Sequence, residues 1–175
     1  RGPHPAYVRS ALEASLARLG TDHVDLYQLH SPDPRVPVAE TLGALDDLVR
    51  AGLVREVGCS NFDAGQLRDA GNVARPGAAR FASVQNEYSL MHREPERGVL
   101  AECERQGMAL LPYYPLASGL LTGKYRRGRP APEGTRITAD APYAPLLNDD
   151  ALDAVERLAA VAESRGRTLL DLAFG

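Results

Sequence analysis

Side chains suited to catalysis or ligand binding follow four short apolar segments of the chain. His30 comes directly after the first segment, and the next three are followed by Ser60 with Asn61, Gln85 with Asn86, and Tyr113 with Tyr114. If the segments are parallel strands of one sheet, their carboxyl ends meet at one edge, and these groups converge on one pocket. Each group also has an ordinary structural interpretation, as a turn former, a strand terminator or a half-buried aromatic. Their repetition at four successive segment ends favours a functional pocket.

The segment before His30, residues 23–29, is predicted to be a short buried strand. It is largely apolar, and Pro32 and Pro34 prevent its continuation as a sheet strand. A histidine placed where a strand ends matches the way parallel α/β barrels present catalytic groups at the carboxyl rim. The pattern therefore makes His30 the first candidate catalytic residue.

Helical periodicity alternates with further short strands along the chain. Asp63 and Gln66 form a capping-box pattern at the start of one helix. Strands are predicted over residues 23–29, 53–59, 81–84 and 108–112, and helices over 5–19, 37–51, 63–71, 95–105 and 149–165, with the start of another at 168–175. Residues 117–149 read as a long proline-rich loop, which inside a compact domain is typical of a functional lid or a disordered segment.

This order of β-then-α units predicts parallel strands joined by right-handed crossovers. Doubly wound sheets and closed barrels both build from such units. No G-x-G-x-x-G motif follows any strand, which counts against a Rossmann domain. A closed barrel needs four more strands than 175 residues leave room for, and the chain stops within an apolar helical pattern. We therefore expect residues 1–175 to be a fragment of a longer protein.

Composition excludes several classes of protein. The net charge of −3 does not give the broad basic footprint of a non-specific nucleic-acid binder. Cys59 and Cys103 are too few for a disulfide framework, have no metal-ligand spacing and fit a reducing compartment. No apolar run approaches the roughly 20 residues that span a bilayer, and no signal-peptide pattern opens the chain. The expectations are a cytoplasmic protein with no metal site, no nucleic-acid partner and no membrane partner; the oligomeric state is left open.

Six motifs occur in an order and spacing that are highly specific in combination. They are SLARLG at 15–20, DLYQLH at 25–30, GLVREVGCSNF at 52–62, VQNEYSL at 84–90, PYYPLASG at 112–119 and LTGKY at 121–125. Together they resemble the central part of an aldo-keto reductase over essentially all 175 residues. The LTGKY motif resembles the branch that includes potassium-channel β-subunits and bacterial general reductases.

The resemblance implies an α/β fold, a (β/α)8 TIM barrel of which this chain covers the central and later part. It also implies reduction of aldehydes or ketones with a nicotinamide cofactor, usually NADPH, with NADH not excluded. Hydride moves to the carbonyl carbon and negative charge grows on the carbonyl oxygen, so a group must donate a proton there. In the family this is a tyrosine assisted by a lysine and an aspartate, with a histidine that directs the carbonyl.

The resemblance assigns roles to residues of this chain. His30 matches the directing histidine. Ser60, Asn61 and Gln85 match the groups that hydrogen-bond the nicotinamide carboxamide and so determine which face of the ring is exposed. Tyr113 matches the aromatic residue that stacks on the nicotinamide.

The cofactor's phosphates are assigned to the segment that follows. The turn from Tyr114 through Pro115 and Leu116 to Gly119 matches the segment along the pyrophosphate. Lys124 matches a lysine that neutralises phosphate charge, a task that suits a compact ammonium on a flexible stem. Tyr114 departs from the family, which usually has serine at this position, so a hydroxyl contact to phosphate is in doubt.

The same resemblance places the family's aspartate, tyrosine and lysine on strands upstream of Arg1, and the segment that reads the adenosine 2′-phosphate beyond Gly175. The fragment alone is therefore expected to be inactive. Two interpretations of the parent protein stay open. One is an NADPH-dependent reductase of small carbonyl compounds, and the other is a regulatory or sensor protein that binds the cofactor without useful turnover.

Overall fold

The structure, a computed structural model, describes residues 2–138 and 142–175. Its helices are α1 Pro5–Leu19, α2 Val38–Arg50, α3 Ala64–Val73, α4 Val99–Gln106, α5 Asp149–Glu163 and α6 Leu169–Phe174, and its strands are β1 Val24–Leu29, β2 Val54–Ser60, β3 Phe81–Glu87 and β4 Ala109–Tyr113. The predicted elements are all present, with their ends displaced by only a few residues.

The four strands form one sheet in the order β1-β2-β3-β4, the same as their order in the chain. β1 pairs with β2 in parallel, with Leu29 opposite Cys59, and β2 pairs with β3 in parallel, with Ser60 opposite Gln85. These registers bring the carboxyl ends of β1, β2 and β3 to one edge of the sheet. The sheet and its helices agree with the predicted part of a TIM barrel.

The chain separates into two compact units, each with its own apolar core. Unit 1 contains Arg1–Asn86 and Pro95–Leu111, and unit 2 contains Glu87–Glu94 and Pro112–Gly175. That residues 1–175 form one partial barrel domain stays a prediction.

The core of unit 1 lies where helices α1 to α4 pack on the strands. Leu12, Leu45 and Leu67, one from each of the first three helices, are completely buried. Removing one such leucine side chain typically costs about 2–5 kcal/mol. The prediction that the first strand is buried is only partly correct, because Leu26 of β1 is 39% exposed. β1 is first in the sheet order with β2 as its neighbour, so it is only partly covered.

The start of α3 confirms the predicted capping box. The Asp63 side chain accepts from the Gln66 backbone N–H at 2.8 Å, and the Gln66 side chain accepts from the Asp63 backbone N–H at 3.0 Å. Two of the four N–H groups that a helix start leaves unpaired are thereby satisfied. The capping residue Asp63 lies three residues after Ser60, and the helix begins at the next residue, Ala64.

The long segment after β4 is more ordered than its composition indicates. Short 3₁₀ turns occupy Ala117–Thr122 and Ala144–Leu146, and Ile137 is completely buried in the core of unit 2. The Ile137 backbone N–H donates to the Tyr125 hydroxyl at 3.2 Å, which satisfies a buried backbone donor. The described parts of this segment therefore contribute to a core, while residues 139–141 of the predicted loop lie outside the described residues.

The described residues contain neither a membrane-spanning helix nor a cluster of metal ligands. No described helix is both long and apolar enough to cross a bilayer. Within residues 2–138 and 142–175, no three His, Cys, Asp or Glu side chains are arranged to hold a metal ion. Cys59 is completely buried, and burial raises the pKa of its thiol, so it is an inert core residue.

Candidate functional site

The predicted site residues fall into two groups. His30, Ser60, Asn61 and Gln85 lie in unit 1, and the residues from Tyr113 to Lys124 lie in unit 2. Each group has its own contacts within its unit.

Asn61 is the centre of the first group. It follows β2 and has a φ of 60°, a left-handed conformation that few residues other than glycine adopt. Its backbone N–H donates both to the Gln85 carbonyl at 3.1 Å and to the Asn86 side-chain oxygen at 2.8 Å. Its side-chain Nδ2 donates to the His30 carbonyl at 2.9 Å. One residue thus links the ends of three neighbouring strands.

Ser60 and Gln85 face each other at the ends of β2 and β3. The Ser60 hydroxyl is buried and donates to the Gln85 carbonyl at 2.6 Å, and it accepts from Asn61 Nδ2 at 3.2 Å. The side-chain amide of Gln85 is half-buried and makes no hydrogen bond to the other described residues. Because the Ser60 hydroxyl and the Asn61 Nδ2 already donate within the site, the Gln85 amide is the group left to pair with a ligand, and it has both the donor and the acceptor that a primary carboxamide requires.

His30 lies directly after the last residue of β1, as predicted. Its residue is exposed, and its backbone carbonyl is the group that Asn61 binds. It lines a cavity of about 340 Å³ together with Tyr7 of α1 and Tyr27 of β1. The backbone of His30 is therefore held at the strand end, while the residue is exposed.

In unit 2, the turn after β4 has an unusual backbone. Tyr114, Ala117 and Ser118 have φ values of 51°, 46° and 56°, and Gly119 has a φ of 105°. The Gly119 N–H donates to the Leu116 carbonyl at 2.9 Å, which closes the turn. Successive backbone N–H groups in turn conformations can form concavities that bind anions; here the N–H groups of Ala117 and Gly119 donate to carbonyls within the turn. Such strain is retained where the surrounding structure enforces it, often at ligand sites.

Lys124 is positioned over this turn. A Cβ atom added to Gly119 would lie 3.3 Å from both Cε and Nζ of Lys124. Lys124 is exposed, and no carboxylate of the described residues lies within ion-pair distance of it. It is the only lysine of the chain, whose other 19 basic residues are arginine. The side-chain ammonium of Lys124 thus lies against this turn, and no described carboxylate neutralises it.

Three aromatic rings and a guanidinium pack together at the start of the same turn. The Tyr114 ring is edge-on to those of Tyr113 and Tyr143, at 5.3 and 6.2 Å between centroids. The Tyr114 and Tyr143 hydroxyls are 3.1 Å apart, and this hydrogen bond raises the pKa of Tyr114. The Arg136 guanidinium lies 5.6 Å from the Tyr114 and Tyr143 rings. The sequence shows Tyr114 as a departure from the family pattern, but two of its partners, Arg136 and Tyr143, are distant in sequence and were not predicted.

Asn86 also contributes to the site in unit 1, and the sequence assigned it no role there. Its position at a strand end was visible, but its role depends on a side-chain contact with Asn61 across the sheet, which no local pattern reports.

The aldo/keto reductase family model matches residues 1–174 of the chain. The chain is 34% identical over 170 residues to the aldo-keto reductase AFTS1 of Alternaria alternata, which covers 97% of the chain and 46% of that protein. It is 34% identical over 174 residues to the aldo-keto reductase YhdN of Bacillus subtilis, which covers 99% of the chain and 51% of that protein.

Solved structures give the same result. The glycerol dehydrogenase AKR11B4 of Gluconobacter oxydans superposes with a TM-score of 0.81 at 31% identity, covering 99% of this chain and 51% of that one. The chain spans about a third to a half of the length of the curated relatives that it matches.

Proposed function

The chain belongs to the aldo/keto reductase family, and on that premise we propose that the intact gene product reduces aldehydes or ketones to alcohols by hydride transfer from NADPH. The family membership supports an oxidoreductase that acts on small carbonyl compounds with a nicotinamide cofactor. Preference for NADPH over NADH, the activity of the whole protein and its cytoplasmic location are parts of the proposal. The 175-residue chain alone is proposed to be inactive.

The observation that carries the proposal is the hydrogen-bonded edge around Asn61. Ser60, Asn61 and Gln85 present a hydroxyl and two amides at adjoining strand ends, and these are the groups we assign to the nicotinamide carboxamide. Their backbones are held by hydrogen bonds to neighbouring strands, so the site is organised before a ligand binds. Pre-organisation of this kind lowers the entropic cost of fixing the cofactor ring.

The phosphate end of the cofactor is assigned to unit 2. The left-handed turn from Tyr114 to Gly119 fits a pyrophosphate, and the Lys124 ammonium supplies a positive charge beside it. Tyr113 supplies an aromatic ring for stacking at the start of the turn, Pro115 and Leu116 continue the assigned segment, and Leu116 packs against the core of unit 2. The donor types therefore suit the group that the family implies.

In this proposal, a nicotinamide held at this site would supply the hydride to the carbonyl carbon, and the family's tyrosine, which the resemblance places upstream of Arg1, would donate the proton to the carbonyl oxygen. His30 donates a hydrogen bond to the carbonyl oxygen, where negative charge grows in the transition state. Ser60, Asn61 and Gln85 hold the carboxamide, which orients the reacting face of the ring toward that carbonyl. The Lys124 ammonium and the turn neutralise the phosphates and keep the cofactor in place.

The test uses the intact gene product. NADPH and NADH binding is measured by fluorescence titration, and turnover is followed as loss of NADPH absorbance with a panel of aldehydes and ketones. We expect NADPH binding, turnover, and a His30→Ala variant that binds the cofactor but loses most of its kcat/KM. His92→Ala, which alters another exposed histidine, serves as the matched control. Cofactor binding without turnover on any carbonyl would contradict the reductase and favour the sensor interpretation, and absence of binding would contradict both.

A further inference from the structure

We infer that Asn86 is a positioning residue for the nicotinamide site, acting through the backbone of Asn61. The inference rests on the proposed function for its consequence in catalysis, and on the geometry of unit 1 for the positioning itself.

The Asn86 side chain binds the two peptide groups that flank the Asn61–Phe62 peptide. Its Oδ1 accepts from the Asn61 backbone N–H at 2.8 Å, and its Nδ2 donates to the Phe62 carbonyl at 2.8 Å. Only one orientation of the amide satisfies both partners, because Oδ1 accepts and Nδ2 donates. Asn86 of β3 thus binds the backbone of the segment that connects β2 to α3.

Asn86 and Gln85 point to opposite faces of β3, because side chains alternate along a strand. Val84, on the same face as Asn86, is completely buried in the core of unit 1. Gln85, on the other face, is the residue assigned to the cofactor. Asn86 therefore influences the ligand from behind the site, through the residue that it holds.

The residue that it holds is strained. With a φ of 60°, Asn61 occupies a conformation that costs a residue with a side chain free energy and persists when neighbouring contacts enforce it. Asn86 supplies contacts on both sides of the Asn61–Phe62 peptide unit. Asn61 in turn donates to the His30 carbonyl, so the position of the β1 end depends on the same Asn86 hydrogen bonds.

If Asn86 only stabilised this region, any change that destabilises the region equally would have the same effect on the ligand. A matched variant distinguishes this case from positioning. Asp63→Ala removes the α3 cap two residues after Asn61 and leaves both Asn86 hydrogen bonds in place. It is expected to lower the stability of the same region without altering the conformation of Asn61.

The experiment compares the intact wild-type gene product with its Asn86→Ala, Asn86→Asp and Asp63→Ala variants. Asn86→Asp keeps the acceptor for Asn61 and loses the donor to Phe62. Hydrogen exchange of the peptide containing Asn61, measured without cofactor, reports the positioning directly. NADPH affinity and the face of hydride transfer, measured with stereospecifically deuterated NADPH, report its consequence.

We expect Asn86→Ala to accelerate exchange at Asn61, to weaken NADPH binding about fivefold or more, and to transfer hydride from both ring faces. Asn86→Asp should stay closer to wild type, and Asp63→Ala should match wild type in affinity and in face selectivity. Unchanged exchange at Asn61 in Asn86→Ala overturns the inference, as does an equal loss of affinity in Asn86→Ala and Asp63→Ala.

The two proposals fail in distinguishable ways. If wild type binds no NADPH, the proposed function is wrong, and the exchange of Asn61 still decides whether Asn86 positions it. If wild type is an active reductase and Asn86→Ala matches it in exchange, affinity and face selectivity, only the inference about Asn86 is wrong.

Discussion

The side chain of Lys124 lies so close to Gly119 that a β-carbon at this position would make a tight contact with it. A Cβ atom on Gly119 would be 3.3 Å from Cε and from Nζ of the lysine, closer than most such contacts allow. Glycine at this position therefore serves two purposes, since it permits a φ of 105° and it lets the ammonium approach the turn.

Gly119→Ala is expected to weaken NADPH binding about tenfold and to lower the free energy of unfolding by about 1–3 kcal/mol. The added methyl strains the backbone and displaces Lys124. The control is Gly128→Ala, at a φ of 69° with no atom near the added Cβ, which should cost stability alone. Cofactor titration and thermal unfolding of both variants measure the difference. Equal cofactor affinity in the two variants would show that the contact with Lys124 does not matter.

Lys124→Met is expected to weaken NADPH binding about tenfold at low salt and to reduce the salt dependence of binding, because a charge–phosphate contact is screened by ions. Lys124→Arg keeps the charge but replaces a compact ammonium with a wide planar fork against Gly119, so we expect it to restore only part of the affinity. Titrations at several salt concentrations check both. Full affinity in Lys124→Met would remove this lysine from the site.

Glu102 of α4 is expected to be a stabilising carboxylate in the core of unit 1. It is 4% exposed and accepts from Arg105, from Gln106 Nε2 at 2.6 Å, and lies 3.7 Å from Arg68. Gln106 Nε2 also donates to the Leu67 carbonyl at 2.8 Å, which joins α4 to α3. Glu102→Ala should therefore lower the free energy of unfolding by about 2 kcal/mol, measured by urea denaturation.

The contribution of Glu102 should depend on pH. Hydrogen bonds from Arg105, and then from Gln106, hold the pKa of Glu102 below its ordinary value of 4.5 in the folded protein. A carboxylate with a lowered folded-state pKa stabilises fully above its unfolded value, and this stabilisation is lost as the pH falls through the folded value. The stability gap between wild type and Glu102→Gln should be constant near neutral pH and shrink below about pH 4.5. Glu104→Gln, at an exposed position of the same helix, is the matched control for the substitution itself.

Gly58→Ala is expected to be strongly destabilising, by about 2 kcal/mol or more. A Cβ there would lie 2.5 Å from the Ser83 hydroxyl and 3.1 Å from the Ser83 carbonyl. The Ser83 hydroxyl is buried and has no hydrogen-bond partner among the described residues, so Ser83→Ala should be neutral or stabilising. The double variant should recover part of the loss, and unfolding free energies of all four proteins form the cycle. Strict additivity would contradict the proposed clash.

Much of unit 1 was predictable because its signals are local. The capping pattern at Asp63 and Gln66 and the prolines after His30 each act within a few residues of the chain, and the structure agrees with both. The exposure of Leu26 was not predictable, since the apolar content of a strand does not report which neighbours cover it.

The candidate site was predictable in its residue types and less so in its contacts. Ser60, Asn61 and Gln85 were assigned from motifs, but the left-handed conformation of Asn61 and the grip of Asn86 arise between strands 25 residues apart in sequence. Ile137 shows the same limit, because a proline-rich composition gave no indication that one apolar residue within it fills a core.

The strands follow the same order in the sheet as in the chain, and this has a consequence for folding during synthesis. Each described strand pair joins residues separated by about 25 to 30 positions, so every new strand can dock on a neighbour that has already left the ribosome. Such a sheet can grow from one side while translation continues, with one unpaired edge at a time awaiting the next strand. Slow codons placed after a strand and its helix would then help folding, whereas the same pauses within a strand would prolong exposure of the growing edge.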